Sequence, residues 1–335
     1  MSGELLLGIE TSCDETAAAV VAEGRTILSN VVASQIDLHQ KWGGVVPEVA
    51  SRQHVEAIMP VIDKALKDAG TTPDKLAAIA VTCGPGLVGS LLVGLSAAKA
   101  LAFSAGKPLI GVNHIEGHIY ANFLAHREVT APLVCLTVSG GHTNLLYMPE
   151  PGVYKVMGRT RDDAAGEALD KVGRVMGLPY PAGAHIDRLA REGKPGAVQL
   201  PRGLLEGLDF SFSGLKTAAI NYLHNAAQRH EEVNMADFAA GLQEAVVDVL
   251  VAKTMHAAEQ VGVDIIIMSG GVAANTRLRR RLREEAESAG KRLFYPPVEL
   301  CTDNAAMIAS AGYFRYRRGE YADLTLNAEP SLRLE

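Results

Sequence analysis

Positive charge is not in excess in this chain. Its 32 Lys and Arg stand against 38 Asp and Glu, a formal net charge of -6. A protein that grips nucleic acid over its whole surface is usually basic, so that class is disfavoured and only local basic patches stay open. Cysteine is scarce as well: Cys13, Cys83, Cys135 and Cys301 stand alone, with no CxxC spacing. That leaves neither a zinc knuckle nor a disulfide framework and points to a reducing cytoplasm. No apolar run approaches the roughly 20 residues of a membrane helix. The opening Met1-Ser2-Gly3-Glu4 lacks the basic stretch of a secretory signal, so neither membrane nor export is expected. No low-complexity linker divides the chain.

What is present is material for a packed core. Of 335 residues 48% are hydrophobic and 21% charged, enough for two domains or one bilobed unit. Residues 5–9 read as a strand, 10–16 as a polar turn and 17–22 as a second strand, which is a hairpin. Apolar residues at Val55, Ile58, Met59, Ile62 and Leu66 predict an amphipathic helix over 54–69, stopped by Gly70. A strand (77–82), an apolar helix (about 89–104) and a strand (109–112) follow, as in a right-handed parallel crossover. The pattern then restarts: strand 133–138, turn 139–143, strand 144–148, a copy in kind of the opening hairpin. Later come a helical run over 163–175, a strand over 264–268, a Ser-Gly-Gly turn, and a helix from about 275 to Gly290. The lobe boundary is placed near Thr130-Ala131-Pro132.

Three polar loops each follow an apolar strand: 10–16, 139–143 and 269–275. Backbone N–H groups at such turns bind phosphate. None matches the P-loop pattern G-x-x-x-x-G-K-[ST] or the Rossmann fingerprint, so a nucleotide is expected between two hairpins. One such loop alone is an ordinary α/β turn; three of matched type are harder to dismiss.

His114-Ile115-Glu116-Gly117-His118 places two imidazoles at i and i+4, on one helical face if the segment is helical. That suits one shared metal, although two histidines hydrogen-bonded beside a polar site explain the spacing too. It is not the H-E-x-x-H of zinc proteases: Glu116 points off the histidine face. Asp14 and Glu15 sit in a tight turn, where a carboxylate can hold Mg2+, orient a water or take a proton. Glu167 and Asp170 share a face at i and i+3. Arg277, Arg279, Arg280, Arg281 and Arg283 crowd one helix, most of them expected to face solvent, and Arg315, Arg317 and Arg318 form a second cluster. Both are solvated faces or contacts to an RNA backbone.

At these residues the sequence closely resembles the universal family of tRNA adenosine threonylcarbamoyltransferases, formerly labelled O-sialoglycoprotein endopeptidases. The match runs through 8–16 (Gly-Ile-Glu-Thr-Ser-Cys-Asp-Glu-Thr), 43–48, 84–87, 114–118, 138–143, 163–168, 209–217, 269–275 and 301–304. The resemblance implies an α/β, actin-like ATPase fold with two duplicated ribonuclease H-like lobes around a cleft. The lobes are expected at 1–131 and 132–304, with 305–325 returning to pack on the first. It implies Asp303 as the third metal ligand beside His114 and His118, with Fe2+ first and Zn2+ second, and Mg2+ accompanying any bound nucleotide. Substrate contacts carry over to Thr137, Val138, Ser139, Gly140 and Gly141, to Asp170, Gly183 and Asp187, and to Asn275; Asp14 and Glu15 are the catalytic candidates. One departure stands out: the family's Tyr-Pro-Gly-Gly-Pro is Tyr180-Pro181-Ala182-Gly183-Ala184 here, and a positive φ would be costly at Ala182.

The function so implied is transfer of threonylcarbamoyl from threonylcarbamoyl-adenylate to the exocyclic amine of the adenosine beside the anticodon, in tRNAs reading codons that begin with A. Expected partners are tRNA, a smaller paralogue of the same fold and a P-loop ATPase, with homodimerisation as another pairing. The rival functions are a metalloprotease, a small-molecule kinase of the same superfamily and a non-catalytic nucleotide-binding scaffold.

Overall fold

The computed structural model describes residues 3–203 and 206–334. The chain opens with β1 (Leu5–Glu10), β2 (Glu15–Ala22) and β3 (Thr26–Ser34), then α1 (Ile36–Gln40) and α2 (Pro47–Asp68). β4 (Ala78–Gly84), α3 (Val88–Ala105), β5 (Leu109–Asn113) and α4 (His114–Ala125) follow. After them come β6 (Leu133–Val138), β7 (Thr143–Glu150), β8 (Val153–Arg159), α5 (Ala165–Val175), α6 (Gly183–Ala190), α7 (Ser213–Gln228) and α8 (Met235–Gln260). β9 (Ile265–Ser269), α9 (Thr276–Ser288), β10 (Arg292–Phe294), α10 (Val298–Cys301) and α11 (Ala305–Arg317) complete the order.

These elements form two compact units, Met1–Thr130 with Pro296–Glu335, and Ala131–Tyr295. The chain returns to the first unit at Pro296, ahead of the expected residue 305. Residues 296–304, Asp303 among them, therefore belong with the first unit and not with the second lobe.

Each unit holds one five-stranded sheet, ordered β3-β2-β1-β4-β5 in the first and β8-β7-β6-β9-β10 in the second. In both, the first three strands form an antiparallel meander, and the last two run parallel to the first strand. The expected duplication is thus a shared topology. The inner strands β1, β4, β6 and β9 are buried on both faces, which is why they read as unbroken apolar runs. β3 and β8 escaped the sequence pattern because they are edge strands of mixed exposure.

In the first unit α2 and α3 cover one face of the sheet, burying Ile58, Ile62, Ala65, Leu95, Ala98 and Ala102 against Leu7, Ile9 and Val20. α2 starts seven residues before the expected His54, because Pro47, with no N–H to leave unpaired, opens its first turn. Gly70 ends it at φ 63°, a left-handed conformation that suits glycine. α3 corrects the expectation about apolar runs. Its 18 residues have a mean hydropathy of 1.6, long and apolar enough to cross a membrane, with 33% of that span buried within the protein.

The opposite face is built from small residues. Ala17, Ala19 and Val21 meet Ala305, Ala306 and Ala309 of α11. At Gly8 the helix backbone comes so close that a Cβ there would lie 2.3 Å from the Ala305 carbonyl oxygen. α4 meets α11 as closely at Gly117, where a Cβ would stand 2.6 Å from Ile308 Cδ1. This close packing carries residues 302–304 to the first turn of α4.

Candidate metal centre and nucleotide loops

α4 begins where β5 ends. Asn113 caps it, its side-chain oxygen accepting from the N–H groups of Ile115 (2.8 Å) and Glu116 (3.4 Å). The cap starts the helix at His114, so His114 and His118 stack one turn apart with ring centroids 4.7 Å apart. Asp303 Oδ1 lies 3.2 Å from His118 Nε2 and 3.5 Å from His114 Nε2. One ligand atom from each of the three falls within 4.8 Å of the others. Two ligands at metal-bond length from one ion stand about 3–4 Å apart. Apart from its approach to Asp303, His118 is buried with no hydrogen-bond partner among the described residues at either ring nitrogen. A buried ring left so is costly unless something else binds it, and a divalent ion fits that place. The His2Asp donor set suits iron or zinc.

Several further groups surround this cluster. Glu10, 0% exposed, accepts from the Ser12 N–H, from the Thr82 hydroxyl (2.7 Å) and from His114 Nδ1 (3.0 Å). Burial opposes charge on both Glu10 and His114. The attraction between them outweighs it, holding Glu10 below the usual carboxylate range and, with Asp303, raising His114 to about 9. Asp14 is buried in the turn and Glu15 opens β2. Burial, then the neighbouring charges of Asp303 and Asp14, push Glu15 up to about 10. The turn is clamped from two sides. His54 Nε2 donates to the Cys13 carbonyl (2.9 Å) while its Nδ1 meets the Thr16 hydroxyl (2.8 Å), and Thr11 donates to the Ser90 carbonyl (2.8 Å). Burial lowers His54, which keeps this ring neutral.

The second unit gathers the other expected residues. Thr137 and Val138 end β6; Ser139 N–H donates to the His142 carbonyl (2.8 Å) and closes the turn. Gly140 and Gly141 lie open, with nothing within 4 Å of a Cβ built on either. Gly270, at φ 88°, lies against the Val138 carbonyl, where a Cβ would come within 2.5 Å, so two of the three glycine loops abut. Asp170 on α5 accepts from the Ala182 N–H at the start of α6 (2.7 Å), and burial raises its carboxyl. From α6, Asp187 accepts from Gln243 (2.7 Å), from Thr276 (2.8 Å) and from Arg191 (2.8 Å). Asn275 caps α9, accepting from the Leu278 N–H (2.9 Å). Through α6 and these bonds, Asp170, Gly183, Asp187 and Asn275 are tied into one assembly. Thr137 joins the third loop through the Ser269 hydroxyl (3.1 Å).

The model of the tRNA N6-adenosine threonylcarbamoyltransferase family matches residues 26–310. The tRNA N6-adenosine threonylcarbamoyltransferase of Symbiobacterium thermophilum is 60% identical over 335 residues, covering 100% of this chain and 98% of its own. This chain belongs to the tRNA N6-adenosine threonylcarbamoyltransferase family. Among solved structures, HypF of T. kodakarensis matches with TM-score 0.64 at 15% identity, over 97% of this chain and 49% of its own. The ROK hexokinase of Thermus thermophilus matches with TM-score 0.51 at 15% identity, over 94% and 100%. The fold is therefore the actin-like ATPase fold.

Two features of this threonylcarbamoyltransferase-family chain depart from expectation. Ala182 needs no positive φ: it sits at φ -79°, and Gly173 of α5 leaves room for its methyl group. The arginines of α9 do not mainly face solvent. Arg277 makes two bonds of 2.7 Å to Glu244, and Arg281 adds a third at 3.1 Å. Arg315 likewise turns inward to Glu116 at 2.7 Å. Glu10 and His54 are the residues that sequence spacing missed. Both act on groups far along the chain, and no local pattern marks them.

Proposed function

We propose that this chain transfers a threonylcarbamoyl group to N6 of the adenosine beside the anticodon in tRNAs reading codons that begin with A. The donor is threonylcarbamoyl-adenylate. The amine nitrogen bonds to the carbamoyl carbonyl carbon, the bond from that carbon to the phosphate oxygen breaks, and AMP leaves with the electron pair. The observation that carries this is the cluster of buried His114 and His118 with half-buried Asp303, in a chain 60% identical along its whole length to a tRNA N6-adenosine threonylcarbamoyltransferase.

An adenylate is already an activated acyl donor, so the protein contributes mostly position and charge stabilisation. The Ser139 N–H closes the turn, so the backbone N–H groups of Gly140 and Gly141 hold the phosphate, and the open space beside them lets it approach. Asp170, Gly183, Asp187 and Asn275 hold the adenine and ribose. His114, His118 and Asp303 would hold a divalent metal, iron before zinc, which when bound would supply Lewis-acid polarisation of the carbamoyl oxygen. The proton released by the amine passes to Asp14, since its neighbour Glu15, pushed up to about 10, already carries one. The work is cytoplasmic, with a smaller paralogue of the same fold and a P-loop ATPase as partners.

The test is tRNA nucleoside composition after incubation with chemically supplied threonylcarbamoyl-adenylate and unmodified tRNA, wild type beside Asp303→Ala. Modified adenosine is expected from wild type and not from the variant. No product from wild type, even with the partner proteins present, overturns the transferase.

A further inference from the structure

Glu10 is the last residue of β1 and wholly buried, and the proposed transfer leaves it without a task. A carboxylate placed there is costly unless donors surround it. Three do. Oε1 accepts from the Ser12 backbone N–H, and Oε2 accepts from the Thr82 hydroxyl at 2.7 Å and meets His114 Nδ1 at 3.0 Å.

An ionised carboxylate can only accept, so the hydrogen between Glu10 and His114 resides on Nδ1. When an ion displaces the second proton of His114, the neutral imidazole that remains, its hydrogen kept on Nδ1 by Glu10, carries its lone pair on Nε2. Nε2 is the nitrogen that faces Asp303 Oδ1 at 3.5 Å. The opposite tautomer would aim an N–H at the same place and block a metal. The Ser12 hydroxyl, 3.1 Å from Nδ1, can share that hydrogen but brings no charge to hold it. Among the described residues His118 has no such anchor, and its Nδ1 has no hydrogen-bond partner. Of the two rings, His114 alone is fixed from behind by a carboxylate.

We infer that Glu10 is the positioning residue of the metal centre, holding His114 in the tautomer and orientation that presents Nε2 to the ion. It touches neither ion nor substrate and acts only through the ring. The inference rests on the metal reading given above. A merely structural Glu10 is the competing account, since the same side chain also ties β1 to the turn and to β4.

The experiment measures binding of Zn2+ alone to the full-length protein by chelator competition, and the visible spectrum of Co2+ in the same site. Glu10→Gln keeps the side-chain shape and removes the charge. It is expected to weaken Zn2+ binding about 10–100-fold and to shift the Co2+ bands. Thr82→Val removes a structural bond to Glu10 but leaves the bond to His114, and is expected to change affinity by less than about twofold. His114→Ala sets the baseline. If it leaves Zn2+ affinity unchanged, the metal reading itself falls and the inference with it. If His114→Ala abolishes binding while Glu10→Gln binds Zn2+ and Co2+ as wild type does, the inference alone falls. Equal weakening by Thr82→Val and Glu10→Gln, with no spectral change, also overturns it in favour of the structural account. Should Glu10→Gln not fold, Glu10→Asp, its carboxylate withdrawn by one methylene, takes its place under the same criteria.

Discussion

Arg315 reaches from α11 to a carboxylate in the interior: Glu116, whose side chain is 1% exposed, lies 2.7 Å from its Nε. Removing the cation leaves that carboxylate buried and short of its partner. Arg315→Ala is therefore expected to lower stability by about 3 kcal/mol, read as a lower urea midpoint at unchanged slope. An unchanged midpoint would show that the pair contributes nothing. The same pair explains why Glu116, though set between two histidines in sequence, is unavailable as their general base. At this scale the sequence was unevenly legible. The histidines announce themselves because four residues make one helical turn. Asp303 does not, because it stands 185 residues beyond His118 (303 minus 118) and only the fold brings it near. Glu10 was hidden in another way: its acidic side chain ends an apolar strand and passes for the start of a turn, while its partner His114 is 104 residues away.

Among the elements, α5 packs closely on the β6–β7 turn, the proposed phosphate loop. A Cβ on Gly166 would stand 2.6 Å from the Ser139 carbonyl oxygen and 2.8 Å from Gly140 Cα. Gly166→Ala thus favours α5 by helix propensity while pushing the loop aside. Activity and stability are both expected to fall: kcat/KM drops about 100-fold from the displaced loop, and the thermal midpoint drops because the clash is with backbone, not with a side chain that can swing aside. Steady-state kinetics beside a melting curve measures both, and full activity would show that the loop does not hold the donor. β1, β4, β6, β9, α2 and α3 were readable from their apolar runs or period, whereas α7 and α8 went unread. β3 and β8 were not, because a sheet edge alternates irregularly between water and core. The start of α2 was missed because its first turn, from Pro47, is largely exposed and breaks the apolar period that marks the rest.

For the molecule as a whole, acid is the condition that should loosen the join of α8 to α9. Hydrogen bonds from Arg277, working against burial, hold Glu244 below its ordinary 4.5. A depressed carboxylate stabilises fully above its unfolded value and loses that contribution as pH falls toward the folded one. Stability should therefore fall below about pH 4.5 more steeply in wild type than in Glu244→Gln. Thermal midpoints across that range check this, and identical slopes would remove Glu244 from the account. The duplicated topology was legible as two hairpins of one kind. The place where the chain crosses back was not, since nothing local at Pro296 distinguishes a return from a continuation. That crossing has a consequence for biosynthesis. Ala131–Tyr295 is continuous and can close upon itself as it leaves the ribosome, whereas the first unit must wait for residues 296–335. Until then the alanine face of β2 is uncovered, and His114 and His118 lack Asp303. A product truncated before residue 296 would keep the glycine loops 139–143 and 269–275 and yet never assemble the triad. An ion held by the triad would therefore mark a chain synthesised past residue 303.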